Sequence, residues 1–239
     1  MSLSPARTDP LLRPPGPSPT GERIAGGTGL AAVGLGLTAL SVLLIGLLHV
    51  LPPSDTVNPM TRTISEYALG SNGWLFDLAV LALAAGSVAV LIGLGRVGVL
   101  RASSAGWLFL ILWVAGLVVL VIFEKHNWQA GPSTGGYIHR VASLVAFLSL
   151  PAGALLTAGA GARVARWRVP SAVARAAALV ALACFSPLLY AIARGVTTGV
   201  AWWRVFPLGA VERVLGLSEV LVVLALGWWV LRASAPRTS

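Results

Sequence analysis

Six apolar stretches follow one another along the chain, separated by shorter polar segments. In order, they cover residues 29–51, 73–94, 105–123, 137–160, 171–193 and 211–231. Each stretch is close to the ~20 residues that an α-helix needs to cross the hydrocarbon layer of a bilayer. Because the backbone must satisfy its own hydrogen bonds there, each stretch is expected to be helical. The pattern predicts an all-α fold in which residues 28–232 form a six-transmembrane-helix bundle.

The composition supports a membrane protein and argues against a nucleic-acid-binding one. Hydrophobic residues make up 56% of the 239 positions and charged residues only 10%. A soluble domain of this size has too much surface for its volume to hide that apolar fraction. The net charge of +9 does not indicate nucleic acid, since the cations are scattered between apolar stretches and form no basic face. The single cysteine, Cys184, lies in an apolar stretch and is expected to serve packing.

The two ends of the chain read as short tails. Residues 1–27 are rich in proline, glycine and serine and have no apolar centre. This composition favours a disordered cytoplasmic tail over a signal peptide. Residues 233–239 are expected to form a short cytoplasmic tail as well.

The cations are distributed unevenly between the two predicted sides of the membrane. Eleven arginines lie in the tails and in the second and fourth connections or beside them, against six cations on the other side. The positive-inside rule therefore predicts that both termini are cytoplasmic. A composition rich in arginine, alanine, glycine and proline is typical of a GC-rich bacterium, so we expect a multi-pass protein of a bacterial plasma membrane.

The predicted outer side collects the polar residues that could form a site. The connection at residues 52–77 reads PPSDTVNPMTRTISEYALGSNGWLFD and is unusually charged for this chain. All three histidines fall on the same side, and polar residues recur at helical spacing on several of the apolar stretches. Polar stripes in membrane helices usually face the bundle, which predicts an outward-facing pocket. The candidate pocket residues are His49, Glu66, Asp77, His126, His139, Arg140, Tyr190, Arg194 and Glu219.

Two carboxyl groups fall inside the predicted helices. Asp77 lies one turn into the second helix, and Glu219 lies about 12 Å into the sixth at 1.5 Å per residue. An ionisable side chain at the membrane centre costs about 2.5–3.5 kcal/mol and is by default a functional hypothesis, although each could instead be a structural ion pair. We expect Arg140 to pair with Asp77, with Glu219 as its second candidate, because a guanidinium group can bridge carboxylates.

Three segments resemble a known family. They are RTISEYALGSNGWLFD at 62–77, GGYIHRVASLVAF at 135–147 and GAVERVLGLSEVLVV at 209–223. Together they are similar to domain-of-unknown-function family 998, which comprises polytopic membrane proteins of bacteria and archaea. The family's "iSelG" element corresponds to Ile64-Ser65-Glu66, with two residues inserted before Leu69-Gly70. Its G-x-x-H element corresponds to Gly136 and His139, and its late glycine and arginine to Gly209 and Arg213. The resemblance implies six helices and a membrane location but no reaction.

These observations leave three classes of function open. The first is binding or translocation of a small amphipathic or lipid-like ligand, with Arg140 and Arg194 holding an anionic group. The second is an intramembrane hydrolase in which the histidines and Asp77 hold a metal ion. The third is a structural or accessory membrane subunit without a ligand. We expect no metal and no cofactor, because no ligand-pair spacing such as HExxH and no nucleotide-binding motif occurs.

Overall fold

The computed structural model describes residues 19–127, 131–199 and 206–235. The long helices are α1 (Pro19–Leu48), α2 (Gly73–Arg96), α3 (Ala105–Ile122), α4 (Thr134–Gly161), α5 (Arg168–Thr198) and α6 (Leu208–Ser234). All six of these elements contain a segment long and apolar enough to cross a membrane. The predicted all-α fold with six membrane-crossing helices is therefore confirmed.

Helix α1 begins earlier than the sequence pattern predicted. Residues 19–27, which were assigned to a disordered tail, form its first turns, while residues 1–18 lie outside the described part of the chain. Proline is compatible with the first turn of a helix, so Pro19 does not oppose this start. At its other end α1 stops at Leu48, shortly before the Pro52-Pro53 pair that cannot continue a helix.

Serine side chains cap the N-termini of two of the other helices. The Ser104 hydroxyl accepts a hydrogen bond from the Trp107 N–H at 3.3 Å, and the Ser133 hydroxyl accepts one from the Gly136 N–H at 3.1 Å. Both are N-caps, which satisfy backbone donors that have no partner within the helix. Asn72 precedes α2 but makes different bonds: its Nδ2 donates to the Pro52 carbonyl at 3.1 Å and to the Ser54 hydroxyl at 3.0 Å.

Helix α6 is the central helix of the bundle. Successive helices pack against each other around the bundle, and α6 contacts α1, α2, α4 and α5. Close approach of α1 and α2 depends on small residues. A Cβ atom on Gly86 would lie 2.8 Å from the Gly34 carbonyl oxygen, so these two helices touch backbone to backbone.

One end of the bundle carries the long α1–α2 connection (residues 49–72), the α3–α4 connection and the start of α6. We call it the site end. The α1–α2 connection contains two short 3-10 helices, Ser54–Thr56 and Ile64–Leu69. The side chain of Tyr67 is only 1% exposed and packs with Leu48, Leu75 and Phe76. This connection is therefore folded onto the helices, where its polar residues can contribute to a site.

Candidate ligand site

Two adjoining cavities lie at the site end of the bundle. The outer cavity has a volume of about 780 Å³ and the inner cavity about 320 Å³. Both volumes fall within the ~300–1,000 Å³ range of small-molecule sites. The two cavities share wall residues, which are Ser65, His139, Ser143, Phe147 and Glu212.

The outer cavity is charged, with an excess of cations. Arg62, Lys125 and Arg140 line it, together with the carboxyl groups of Glu66 and Glu212. Glu66 is held between two of the cations: its Oε1 lies 3.0 Å from Lys125 Nζ and its Oε2 lies 3.5 Å from Arg62 Nη1. Lys125 also donates to the Thr63 hydroxyl. The Lys125 and Glu66 side chains are only 11% and 15% exposed, so solvent screens this pair less than a surface ion pair.

Glu212 links the central helix to the α1–α2 connection. Its Oε2 accepts a hydrogen bond from the Ile64 backbone N–H at 2.7 Å. That donor lies at the start of a short 3-10 helix, where N–H groups have no partner within the helix. Lys125, Arg213 and Glu66 all lie within electrostatic reach of Glu212, so the two carboxyl groups of the outer cavity and Lys125 form one connected network.

His139 stands in the wall between the two cavities. Its Nδ1 lies 2.9 Å from the Phe123 carbonyl oxygen and 3.2 Å from that of Leu120. Carbonyl oxygens only accept hydrogen bonds, so Nδ1 carries a hydrogen and serves the unpartnered carbonyls at the end of α3. Nε2 makes no hydrogen bond to any residue that the structure describes. The ring is thus fixed through Nδ1 alone among the described contacts.

His126 is packed tightly against the start of α4. Its Nδ1 accepts a hydrogen bond from the Ser133 N–H at 2.8 Å. A Cβ atom on Gly136 would lie only 2.2 Å from that same Nδ1, so this position requires glycine. The G-x-x-H element therefore has a physical reason: Gly136 makes room for His126, and His139 closes the end of α3.

The inner cavity is mainly apolar but contains an isolated carboxyl group. Its apolar wall includes Phe76, Trp113 and Leu117. Glu219 also lines it, is 1% exposed, and has no hydrogen-bond partner for either oxygen in the described part of the protein. The hydroxyl of Ser41, a residue that is 4% exposed, lines the same cavity and makes no hydrogen bond to a described residue. A buried polar group without a partner costs about 1–3 kcal/mol, so the Glu219 carboxyl group calls for an explanation.

Comparison with known sequences identifies the family. Residues 32–229 match the sequence profile described as "Protein of unknown function (DUF998)". The chain belongs to this family. No curated protein and no solved structure matches this DUF998 protein.

In this DUF998 protein the first and last family elements meet in space. Arg213 Nη1 donates to the carbonyl oxygens of Arg62 at 2.7 Å, Pro59 at 2.9 Å and Gly209 at 3.0 Å. Its Nε donates to His49 Nε2 at 2.8 Å, while His49 Nδ1 lies 2.7 Å from the carbonyl oxygen of Ile45. Arg213 therefore fastens the α1–α2 connection to α6.

The predicted pocket residues divide into three groups. Glu66, His126, His139 and Arg140 line the outer cavity, whereas His49, His139 and Glu219 line the inner one. Three others line neither cavity, namely Asp77, Tyr190 and Arg194.

The expected ion pair between Arg140 and Asp77 is not formed, which corrects the prediction. The charged group that acts on Asp77 is the carboxylate of Glu124. Helices α3 and α6 stand between α2 and α4, so the two side chains face different neighbours. Tyr190 is 60% exposed and Arg194 is exposed, so both point away from the helix contacts of α5.

The sequence prediction missed three residues of the site. Lys125, Glu212 and Arg213 contribute to the cavity walls but were not among the candidates. Lys125 is the single lysine of the chain. Its rarity was the one feature of the sequence that could have marked it as a residue of the site. Glu212 lies two helical turns before Glu219 on the same face of α6, and Arg213 belongs to a family element.

In the described ranges, no group of three or more His, Cys, Asp or Glu side chains is arranged to hold a metal ion. His126 and His139 both have one ring nitrogen engaged with backbone groups of the α3–α4 region.

Proposed function

We propose that this protein binds, and passes through or along the membrane, a small amphipathic molecule with an anionic head group. The observation that carries the proposal is the pairing of a charged outer cavity with an apolar inner cavity through a common wall. A ligand with one charged end and one apolar end is complementary to such a pair. Its head group would occupy the outer cavity and its apolar part the inner one.

The charges of the outer cavity favour an anion. Three cations face two carboxyl groups, and Glu66 is already shared between Lys125 and Arg62. Arg62 is 56% exposed and Arg140 is exposed, so a head group can reach them from the surface of the protein. Guanidinium groups suit carboxylate and phosphate head groups because they present several donors in a fixed plane.

The distribution of cations along the sequence supports a location. We place the protein in a bacterial plasma membrane with both termini in the cytoplasm, so that the site end faces outward. The ligand would then enter from the outer leaflet or from the exterior.

A matched pair of arginines tests the proposal. Arg140 and Arg194 are both exposed and both lie on membrane-crossing helices, but only Arg140 lines the outer cavity. Equilibrium binding of a radiolabelled medium-chain fatty acid to the purified chain in nanodiscs would be compared with binding of the alcohol of equal length. We expect the fatty acid to bind more tightly than the alcohol. We expect Arg140→Gln to weaken fatty-acid binding by about fivefold, as for a partly exposed ion pair, and Arg194→Gln to leave it unchanged.

Two outcomes would contradict the proposal. Equal and non-saturable uptake of both compounds would mean that they only partition into the bilayer, as an accessory subunit without a ligand predicts. Equal weakening by the two substitutions would mean that the cavity charge is not what attracts the head group.

A further inference from the structure

We infer that the ligand carries a hydroxyl group within its apolar part, about 10 Å beyond the wall that the two cavities share, and that Glu219 and Ser41 recognise this hydroxyl. The inference rests on the proposed function and specifies the class of ligand further: a hydroxylated anionic amphiphile. The observation that carries it is the buried carboxyl group of Glu219, which has no partner in the described part of the chain and lines the inner cavity together with Ser41.

Glu219 is unusual in having no partner at all within the described residues. Its side chain is 1% exposed, and both carboxyl oxygens lack a hydrogen bond. Other buried polar groups nearby are satisfied locally: the Ser218 hydroxyl donates to the Leu215 carbonyl at 2.6 Å, and the Thr38 hydroxyl donates to that of Gly34 at 2.8 Å. Buried polar groups are normally hydrogen-bonded, so a carboxyl group left open towards a cavity indicates a partner supplied from outside the chain.

Ser41 adds a second open group from a neighbouring helix. It lies on α1, which packs against α6, and lines the same cavity as Glu219. A serine within a helix can donate to the carbonyl four residues earlier, as Thr38 does, but Ser41 makes no such bond to a described residue. A hydroxyl group both donates and accepts, so one ligand hydroxyl can satisfy the two side chains together.

The position of Glu219 sets the depth of the hydroxyl within the inner cavity. Glu212, in the wall shared by both cavities, lies seven residues before it on α6. Seven residues of helix correspond to about 10 Å along the axis. A site built to hydrogen-bond a hydroxyl discriminates strongly against the analogue that lacks it, because the protein groups are then left unpaired. Glu219 and Ser41 would thus select among amphiphiles that the outer cavity alone cannot distinguish.

The test compares two probes on the full-length chain in nanodiscs: a medium-chain fatty acid and the ω-hydroxy fatty acid of the same length. We expect wild-type protein to prefer the hydroxylated probe by about tenfold or more. Glu219→Leu and Ser41→Ala should each reduce this preference, measured as the ratio of the two affinities, by severalfold. Ser218→Ala is the matched control, since Ser218 is buried on the same helix, lines neither cavity and should leave the preference unchanged.

Each outcome has a distinct meaning. If both probes bind the wild type equally, or if the preference survives both substitutions, the inference is overturned while the proposed function stands. If neither probe binds saturably, the proposed function fails with it. If Glu219→Leu does not fold, Glu219→Gln and Ser41→Ala test the same inference. The ratio of the two probes' affinities must then change in at least one of these variants. An unchanged ratio in both refutes the role assigned to Glu219 and Ser41.

Discussion

The side chain of Arg213 positions the α1–α2 connection against α6 through several hydrogen bonds. Its guanidinium group reaches three backbone carbonyls and the His49 ring and lies 5.8 Å from the centre of the Tyr67 ring. These partners come from the α1–α2 connection and from α6 itself. A planar group with five donors can make such a set of bonds, whereas an ammonium group on a flexible stem cannot.

Replacement of Arg213 by lysine should therefore be destabilising although it conserves the charge. We expect Arg213→Lys to lower the free energy of unfolding by roughly 2–3 kcal/mol, because an ammonium group cannot replace all the hydrogen bonds that the guanidinium group makes to His49 and to the carbonyls of the connection. The measurement is thermal unfolding of the purified protein in detergent. Arg194→Lys is the control and should leave the melting temperature within error. A melting temperature unaffected by Arg213→Lys would show that the connection is held by its apolar contacts around Tyr67.

At the scale of elements, the close packing of α6 against the α1–α2 connection requires glycine at position 209. A Cβ atom on Gly209 would lie 2.3 Å from the Arg62 carbonyl oxygen and 2.6 Å from that of Pro59. Both atoms belong to backbone, which cannot rotate away as a side chain can. Two turns further along the helix, a Cβ atom on Gly216 would meet only the end of Ile64 at 3.7 Å, an ordinary van der Waals contact.

These two glycines give a prediction with an internal control. Gly209→Ala should separate the start of α6 from the connection, which would also break the hydrogen bond between the Ala210 N–H and the Met60 carbonyl, now 3.1 Å long. We expect a loss of roughly 1–3 kcal/mol in stability, as for other overpacked sites. Gly216→Ala should be neutral or stabilising by up to about 1 kcal/mol, because alanine favours helix more than glycine does. Equal melting temperatures for the two variants would argue against the close backbone contact at Gly209.

Some features of these elements could be predicted from the sequence, and others could not. The helices were predictable because each is an apolar stretch of the right length, and the caps at Ser104 and Ser133 follow from local chemistry. The pairing of Lys125 with Glu66 was not predictable, since it joins two connections that are separated by 59 positions and have no periodicity. The wrong prediction of an Arg140–Asp77 ion pair has a related cause. The depth of a residue in the membrane can be estimated from its position along a helix. The sequence does not show, however, which helices are neighbours in the bundle.

At the scale of the whole molecule, polar function is concentrated at one end of the bundle. Both cavities, both described ion pairs and all three histidines lie towards the site end. The opposite end contains the α2–α3 and α4–α5 connections, which carry arginines such as Arg96, Arg101 and Arg166. The direction of ligand access thus depends on which end faces the cytoplasm.

The excess of cations at the opposite end predicts that this end is cytoplasmic, and cysteine labelling can check it. In a Cys184→Ser background, Asp55→Cys would place a thiol on the exposed surface of the site end, and Ser103→Cys would place one on the exposed α2–α3 connection. A membrane-impermeant maleimide should label Asp55→Cys in intact cells and should label Ser103→Cys only after permeabilisation. We expect this pattern because arginine-rich short connections are retained on the cytoplasmic side during insertion, whereas acidic residues contribute little to orientation. The reverse pattern would place the outer cavity in the cytoplasm, and any amphiphile it binds would then come from inside the cell or from the inner leaflet.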